Sequence, residues 1–176
     1  MRKVVAYELL SLDGVAEHPD KFVTNFDEVM SENLGRVIAT QDAVLLGRRS
    51  YDDWAAFWPT SDIQPFASFI NGVQKFVMTS TPLSPEWANS TVIEGGLHEF
   101  VEELKMAPGG DIGVHASIDV TQSLLEKGLV DELRLVIAPA VQLEGRRLFA
   151  RGMPKRMSLT RNVTSPTGYL MVDYAV

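Results

Sequence analysis

The sequence predicts an α/β protein: a mostly parallel, mixed central sheet with helices on both faces and an antiparallel hairpin at its C-terminal edge. Short apolar and β-branched runs alternate with segments of helical periodicity through most of the chain, the pattern of strand-helix-strand crossovers. Several strand runs, such as "AVLLG", are apolar at every position, as strands covered on both faces are. Near the C-terminus the alternation stops, and two strand-like runs follow one another with only "TSPT" between them.

Taken in order, "KVVAYELLS" (3–11) is a central strand broken by Asp13-Gly14. The segment "NFDEVMSENLGRVIAT" (25–40) places Phe26, Val29, Met30, Leu34, Val37 and Ile38 at intervals of three and four, one apolar face of a helix. "AVLLG" (43–47) is a buried strand, and "SYDDWAAFW" (50–58) a helix that Pro59 ends. A helix around "PFASFINGV" precedes the strand "KFVMTS", which Thr81-Pro82 closes, and "STVIEG" is a further strand. "LHEFVEELKM" is helical up to the break at Pro108-Gly109-Gly110, and "DIGVH" is a strand. "SIDVTQSLLEKG" (117–128) is a helix with Ser117 as N-cap, Asp119 in the first turn and Gly128 at the left-handed C-terminal position. "DELRLVIAP" is a strand, and "RMSLTRNV" with "GYLMVDYAV" forms the hairpin. There are no repeats or linkers, so residues 1–176 are expected to form a single domain.

The net charge of −7 argues against nucleic acid or an anionic membrane as partner, since both require a cationic surface. The absence of cysteine excludes disulfides, thiolate catalysis and cysteine-ligated zinc. His18, His98 and His115 are scattered, so no metal site is expected. No run approaches membrane-spanning length and no signal-peptide pattern opens the chain, which predicts a cytoplasmic protein.

In an open parallel sheet, ligands gather beyond the carboxyl ends of the strands, where helix N-termini present unpaired amides. Four strand exits carry suitable residues: Leu12-Asp13-Gly14, Gly47-Arg48-Arg49-Ser50, Thr79-Ser80, and Val114-His115-Ala116-Ser117. At the second, Gly47 lets the backbone turn closely, an arginine can fork two hydrogen bonds onto an anion, and Ser50 adds a hydroxyl. The same residues would also occur where both arginines are solvated and a serine merely caps a helix.

The order of "SLDGV", "LLGRRSYDDW", "KFVMTST", "GDIGVHAS" and "LLEKGLVDELRLVIAPAVQLEGRRLF" resembles the reductase domain at the C-terminus of the bifunctional riboflavin-synthesis deaminase-reductase (RibD). That domain shares the dihydrofolate reductase fold, a three-layer α/β arrangement. The resemblance implies an NADPH-dependent reductase of a small heterocyclic substrate, and a homodimer. Carried over by position, Gly47, Arg48, Arg49 and Ser50 would meet the cofactor phosphates. Thr79 and Ser80 would lie beside the adenosine end, and Val114, Ala116 and Ser117 would pass under the pyrophosphate. Leu12, Gly14 and Val15 would cover the nicotinamide.

Ala116 and Ser117 stand where the family commonly has two glycines, and Tyr7 and His115 stand where riboflavin-pathway members have a lysine and a glutamate. The chain also lacks a deaminase domain, whose zinc ligands need cysteines. A substrate other than the ribose-phosphate pyrimidine follows.

A reductase needs a proton source near the atom that accepts hydride. Asp13, Glu8, Asp27 (or the adjacent Glu28) and His115 are the candidates. Asp13 also has an ordinary turn role beside Gly14, and a lone strand histidine also serves as a core residue. Glu8 is costly to bury unless paired or facing a cleft. The alternative is a dimeric nucleotide- or ligand-binding protein of the same fold without turnover. A flavin-binding doubly wound protein is disfavoured because no glycine-rich phosphate loop follows the first strand.

Overall fold

The computed structural model describes residues 1–152 and 154–176. The apolar runs form β1 (Val4–Leu10), β2 (Gln41–Gly47), β3 (Gln74–Met78), β4 (Ser90–Val92), β5 (Asp111–His115) and β6 (Glu132–Ile137), and the tail supplies β7 (Ser158–Thr164) and β8 (Leu170–Ala175). Between them lie α1 (Glu28–Ile38), α2 (Arg48–Phe57), α3 (Phe66–Gly72), α4 (Leu97–Met106) and α5 (Ile118–Glu126).

One sheet runs in the order β4-β3-β2-β5-β1-β6-β8-β7. The first six strands in sequence are mutually parallel, and β8 joins β6, then β7 joins β8, in antiparallel fashion. Alternating side chains divide the core in two. Tyr7, Val44, Leu46, Val136 and Met171 pack under α1, α2 and α3. Ala6, Leu45, Val114, Leu135 and Val172 pack against α4 and α5. Because both faces are covered, the central strands are apolar throughout; Val44, Leu45 and Leu46 have no exposed surface at all. Parallel strands bring the exits of β1, β2, β3, β5 and β6 to a single edge, and the candidate ligand-binding residues fall there.

Local interactions shift several expected boundaries. α1 begins at Glu28 and not at 25, because the Asp27 carboxylate accepts the Met30 amide at 3.0 Å and sets the N-cap. Phe26 consequently lies outside the helix and is exposed. α2 starts two residues earlier than the periodicity suggested, at Arg48, and Trp58 leaves it for a short 3-10 turn (Trp58–Thr60). Ser117 occupies the N-cap position of α5 but makes no capping bond. Its hydroxyl accepts the Gly47 amide at 3.0 Å instead. Gly128 has φ 68°, the left-handed conformation expected of it.

Lys75, inside β3, is fully buried, and among the described residues it forms no ion pair with a carboxylate. Its ammonium donates to the carbonyls of Ile70 and Val73 at 2.8 and 2.9 Å and sits 4.5 Å from the Trp87 ring centroid. It closes the C-terminal end of α3, whose last carbonyls have no helical partner. Burial pushes this lysine down to about 8. Among the described residues, no helix is long and apolar enough to cross a membrane, and no group of three or more acidic, histidine or cysteine side chains is placed to hold a metal ion.

Candidate active site

The exits of β2 and β5 are tied together at the centre of the sheet edge. Besides the Ser117–Gly47 bond, the Ser50 hydroxyl donates to the Ala116 carbonyl at 3.1 Å. Two helices therefore start side by side, and at neither N-cap position, Gly47 for α2 and Ser117 for α5, is there a side-chain capping bond. Their first-turn amides and helix dipoles are available to an anion. Gly47 has an ordinary extended backbone (φ −81°, ψ 162°). Ala116, however, holds φ 54°, a left-handed conformation that glycine adopts freely and an L-residue adopts at a cost of about 1–2 kcal/mol. The alanine at the family's glycine position is thus accommodated with strain.

The two arginines differ. Arg48 donates through Nε to Asp52 at 2.7 Å and through Nη1 to the Thr81 hydroxyl at 2.5 Å and the Pro82 carbonyl at 3.0 Å. It ties the start of α2 to the turn after β3. Arg49 is 73% exposed in its side chain and lies 3.5 Å from Glu17. Thr79 shares hydrogen bonds with Thr81, and Ser80 is exposed beside it. Thr81 and Glu17 were not anticipated; no local pattern marks them, because their partners lie more than thirty residues away.

At the β1 exit, the segment 11–17 is zipped to residues 140–148. Leu12 donates to Ala140 O at 2.7 Å, Leu148 to Gly14 O at 3.1 Å, and Ala16 to Arg146 O at 2.9 Å, while Val15 bridges Arg147. Asp13 is the clamp. Its carboxylate accepts from the Ser11 hydroxyl at 2.6 Å and from the Gln142 and Leu143 amides at 3.0 and 2.9 Å. The Ser11 bond first, then the Gln142 amide, hold it far below the usual carboxylate range. Leu143 itself sits at φ 67°, so the clamp holds a strained residue in place. Leu12, Val141 and Leu143 are left exposed and make this lip apolar.

The other three candidate acids are not gathered here. Glu8 is 2% exposed and points to the α5 side of the sheet, where Thr121 donates to it at 2.8 Å. Burial pushes it up to about 8 against the opposing effect of that bond. His115 is buried on the opposite face among Tyr7, Phe66 and Phe69, with Nε2 2.7 Å from Gln41 Oε1. Burial lowers it to about 3, so it is neutral at ordinary pH. Asp27 lies at the start of α1, where the Thr167 hydroxyl, above all, keeps it below its ordinary value. Trp54, Trp58 and Phe66 stack edge to face at 4.9–6.0 Å, which makes this aromatic cluster part of the packing between α2 and α3.

A family model of the RibD C-terminal domain matches residues 2–171. The chain belongs to the RibD C-terminal domain family. Relatives include the uncharacterized proteins YyaP and YwjB of Bacillus subtilis (strain 168). YyaP is 28% identical over 157 residues, covering 84% of this chain and 80% of its own. YwjB is 26% identical over 151 residues, covering 84% and 83%. The fold is the dihydrofolate reductase-like three-layer arrangement found in RibD-like reductases. A putative riboflavin biosynthesis protein from Shewanella sp. PV-4 superposes with TM-score 0.77 at 17% identity, over 98% of each chain. A pyrimidine reductase-like protein from Corynebacterium diphtheriae does so with TM-score 0.68 at 16% identity, over 99% of this chain and 92% of that one. The Thermotoga maritima diaminohydroxyphosphoribosylaminopyrimidine deaminase/5-amino-6-(5-phosphoribosylamino)uracil reductase matches with TM-score 0.68 at 13% identity, and the present chain spans 56% of it.

Proposed function

We propose that this RibD C-terminal domain protein is a cytoplasmic, homodimeric, NADPH-dependent reductase acting on a small heterocycle other than the phosphoribosylamino-pyrimidine of riboflavin synthesis. The supporting observation is the pair of uncapped helix N-termini at Gly47 and Ser117, bound to one another and flanked by Arg48 and Arg49. Such a corner suits a pyrophosphate: it offers the first-turn amides of two helices that have no side-chain cap, and guanidinium groups beside them. When bound, NADPH supplies the hydride.

The chain's own residues do the rest on this reading. Arg48, already braced by Asp52 and Thr81, and the more exposed Arg49 hold phosphate charge. Thr79 and Ser80 face the adenosine end. Leu12, Val141 and Leu143 present an apolar lip that excludes water from the reacting ring, and Asp13 keeps that lip in position. Asp13 and Asp27 are held as carboxylates, His115 is neutral, and Glu8 is buried. The proton that completes reduction then comes from solvent. Tyr7 and His115 stand where riboflavin-pathway members carry a lysine and a glutamate, and neither brings a charge there, which favours a substrate without the phosphoribosyl group.

Fluorescence titration with NADPH tests the proposal. A charge-assisted arginine contact contributes about 1.5–3 kcal/mol, so Arg48→Ala should weaken NADPH roughly tenfold to a hundredfold. Unchanged affinity would remove Arg48 from the site. The commitment of Asp13 and Asp27 to structural hydrogen bonds favours a second reading, a ligand-binding protein without turnover. NADPH binding with no oxidation across pterins, dihydrofolate and riboflavin precursors would support it. Sedimentation at micromolar concentration tests the dimer, and a monomer there would defeat it.

A further inference from the structure

Glu8 is 2% exposed in a strand whose neighbouring side chains on the same face, Ala6 and Leu10, are apolar. Tyr7 pairs with His115, the last residue of β5. One residue further on, Glu8 comes level with Ala116, where the chain turns from β5 into α5. On its other flank it pairs with Leu135 of β6. Its carboxyl group points to the α5 side of the sheet, where the Thr121 hydroxyl donates to Oε1 at 2.8 Å. Thr121 closes the first turn of α5, its amide donating to the Ser117 carbonyl at 2.9 Å. An ionisable group therefore lies behind the backbone, Ala116 to Thr121, that supplies one half of the Gly47 corner.

This position makes Glu8 a rival of any anion at the corner. The amides of Ile118, Asp119 and Val120 open α5 and have no partner within it, and with the helix dipole they attract whichever negative charge comes near. Thr121 stands three residues into α5, roughly 4.5 Å along its axis, so an anion at the helix tip lies on the order of 10 Å from Glu8. Ala6, Leu10, Val114, Leu124 and Leu135 provide an apolar surrounding that screens poorly. Two like charges at such a separation, with an effective dielectric constant near 20, change binding about tenfold. Charged groups on the neighbouring elements are engaged elsewhere: Asp119 and Glu126 of α5 with Arg146 and Arg151, Arg134 of β6 with Glu132, Lys105 of α4 with Asp131, and Arg48 of α2 with Asp52. His115 of β5 lies on the opposite face, and His98 of α4 bonds to Ser123. Burial pushes Glu8 up to about 8 against the effect of the Thr121 bond, so the neutral form prevails at neutrality.

We propose that Glu8 couples dinucleotide binding to proton uptake: neutral, it leaves the positive tips of α2 and α5 to the phosphates of the ligand; ionised, it opposes them. The inference rests on the reading of the Gly47 corner as the phosphate site and adds a regulator to it. Glu8 touches no ligand and acts through α5. By linkage, a bound dinucleotide strengthens the hold of Glu8 on its proton by the factor by which the ionised form weakens the dinucleotide. Affinity is then level well below pH 8 and falls as pH rises through 8.

Fluorescence titration with NADPH between pH 6.5 and 9, for the parent, Glu8→Gln and Thr121→Val, tests the coupling, and isothermal titration in two buffers of different ionisation enthalpy counts the protons. At pH 6.5 the parent and Glu8→Gln should bind alike; by pH 9 the variant should bind about fivefold tighter. Near pH 8.5 the parent should take up about half a proton more per NADPH than Glu8→Gln does. Thr121→Val removes the bond that favours the ionised form, so it should move the fall in affinity to higher pH. A parent-to-Gln affinity ratio that is constant across this range, with equal proton counts, overturns the role of Glu8 and leaves the corner as the phosphate site. Where Glu8→Gln fails to fold, an unmoved transition in Thr121→Val overturns it. No NADPH binding by the parent at pH 6.5 overturns the cofactor reading and this proposal together.

Discussion

Replacing Glu8 by glutamine should abolish a loss of stability that the parent protein suffers as pH rises. Glu8 is 2% exposed, the Thr121 hydroxyl donates to it, and burial raises it from 4.5 to about 8. In the unfolded chain it titrates near its ordinary value. Between pH 4.5 and 8 the folded state therefore retains a proton that the unfolded state has released, and stability falls with rising pH. The contribution is fully present below pH 4.5 and gone above pH 8. A gap of this size at 1.36 kcal/mol per unit amounts to about 5 kcal/mol. Glutamine keeps an acceptor for Thr121 and does not titrate. The difference between variant and parent should grow from about 1 kcal/mol at pH 5 to about 5 kcal/mol at pH 9. Urea unfolding followed by tryptophan fluorescence at pH 5, 7 and 9 measures it. Parallel stability profiles for the two proteins would mean that Glu8 ionises in contact with water, facing a cleft, and would return it to the list of catalytic candidates.

His115 acts in the opposite sense: lowered to about 3 from 6.5, it contributes stability above pH 6.5 that is lost as pH falls towards 3. His115→Gln should flatten that acid limb, and an unchanged limb in urea titrations would show the imidazole to be solvated. Ala116→Gly relieves a left-handed alanine and should raise stability by about 1 kcal/mol; a lower urea midpoint would refute the strain. Asp13→Ala frees the Gln142 and Leu143 amides, so hydrogen exchange at those two positions should accelerate while the central strands are unaffected. Retained protection there would show that the lip holds without its clamp.

Much of the architecture was legible in the sequence because it rests on local periodicity. The runs "VVAYELL" and "AVLLG" had to lie between two covering layers, since their apolar residues fall on both sides of a strand. The three-and-four spacing from Val29 to Ile38 required a helix. Gly128 announced its own left-handed turn. Element ends were less legible. Phe26 continues the apolar spacing but precedes the cap made by Asp27, and a pattern of hydrophobic residues does not reveal which carboxylate will accept an amide.

The strand exits, with their glycine, arginines and serines, could be picked out along the chain because parallel strands must end on a common edge. What each side chain does there was decided by partners distant in sequence. Ser117 carries the signature of a helix cap, yet its hydroxyl serves Gly47, seventy residues away. Asp13 has the look of a proton donor or an ordinary turn residue, and becomes a clamp only because the amides of Gln142 and Leu143 arrive beside it, 129 and 130 residues later. Glu8 comes level with Ala116 only when β1 and β5 are in register. Hydrophobic patterning is a property of neighbouring residues, so the chain alone determines its layers. Hydrogen bonding and charge act over a few ångströms between residues that are remote in sequence, so only the folded molecule assigns them.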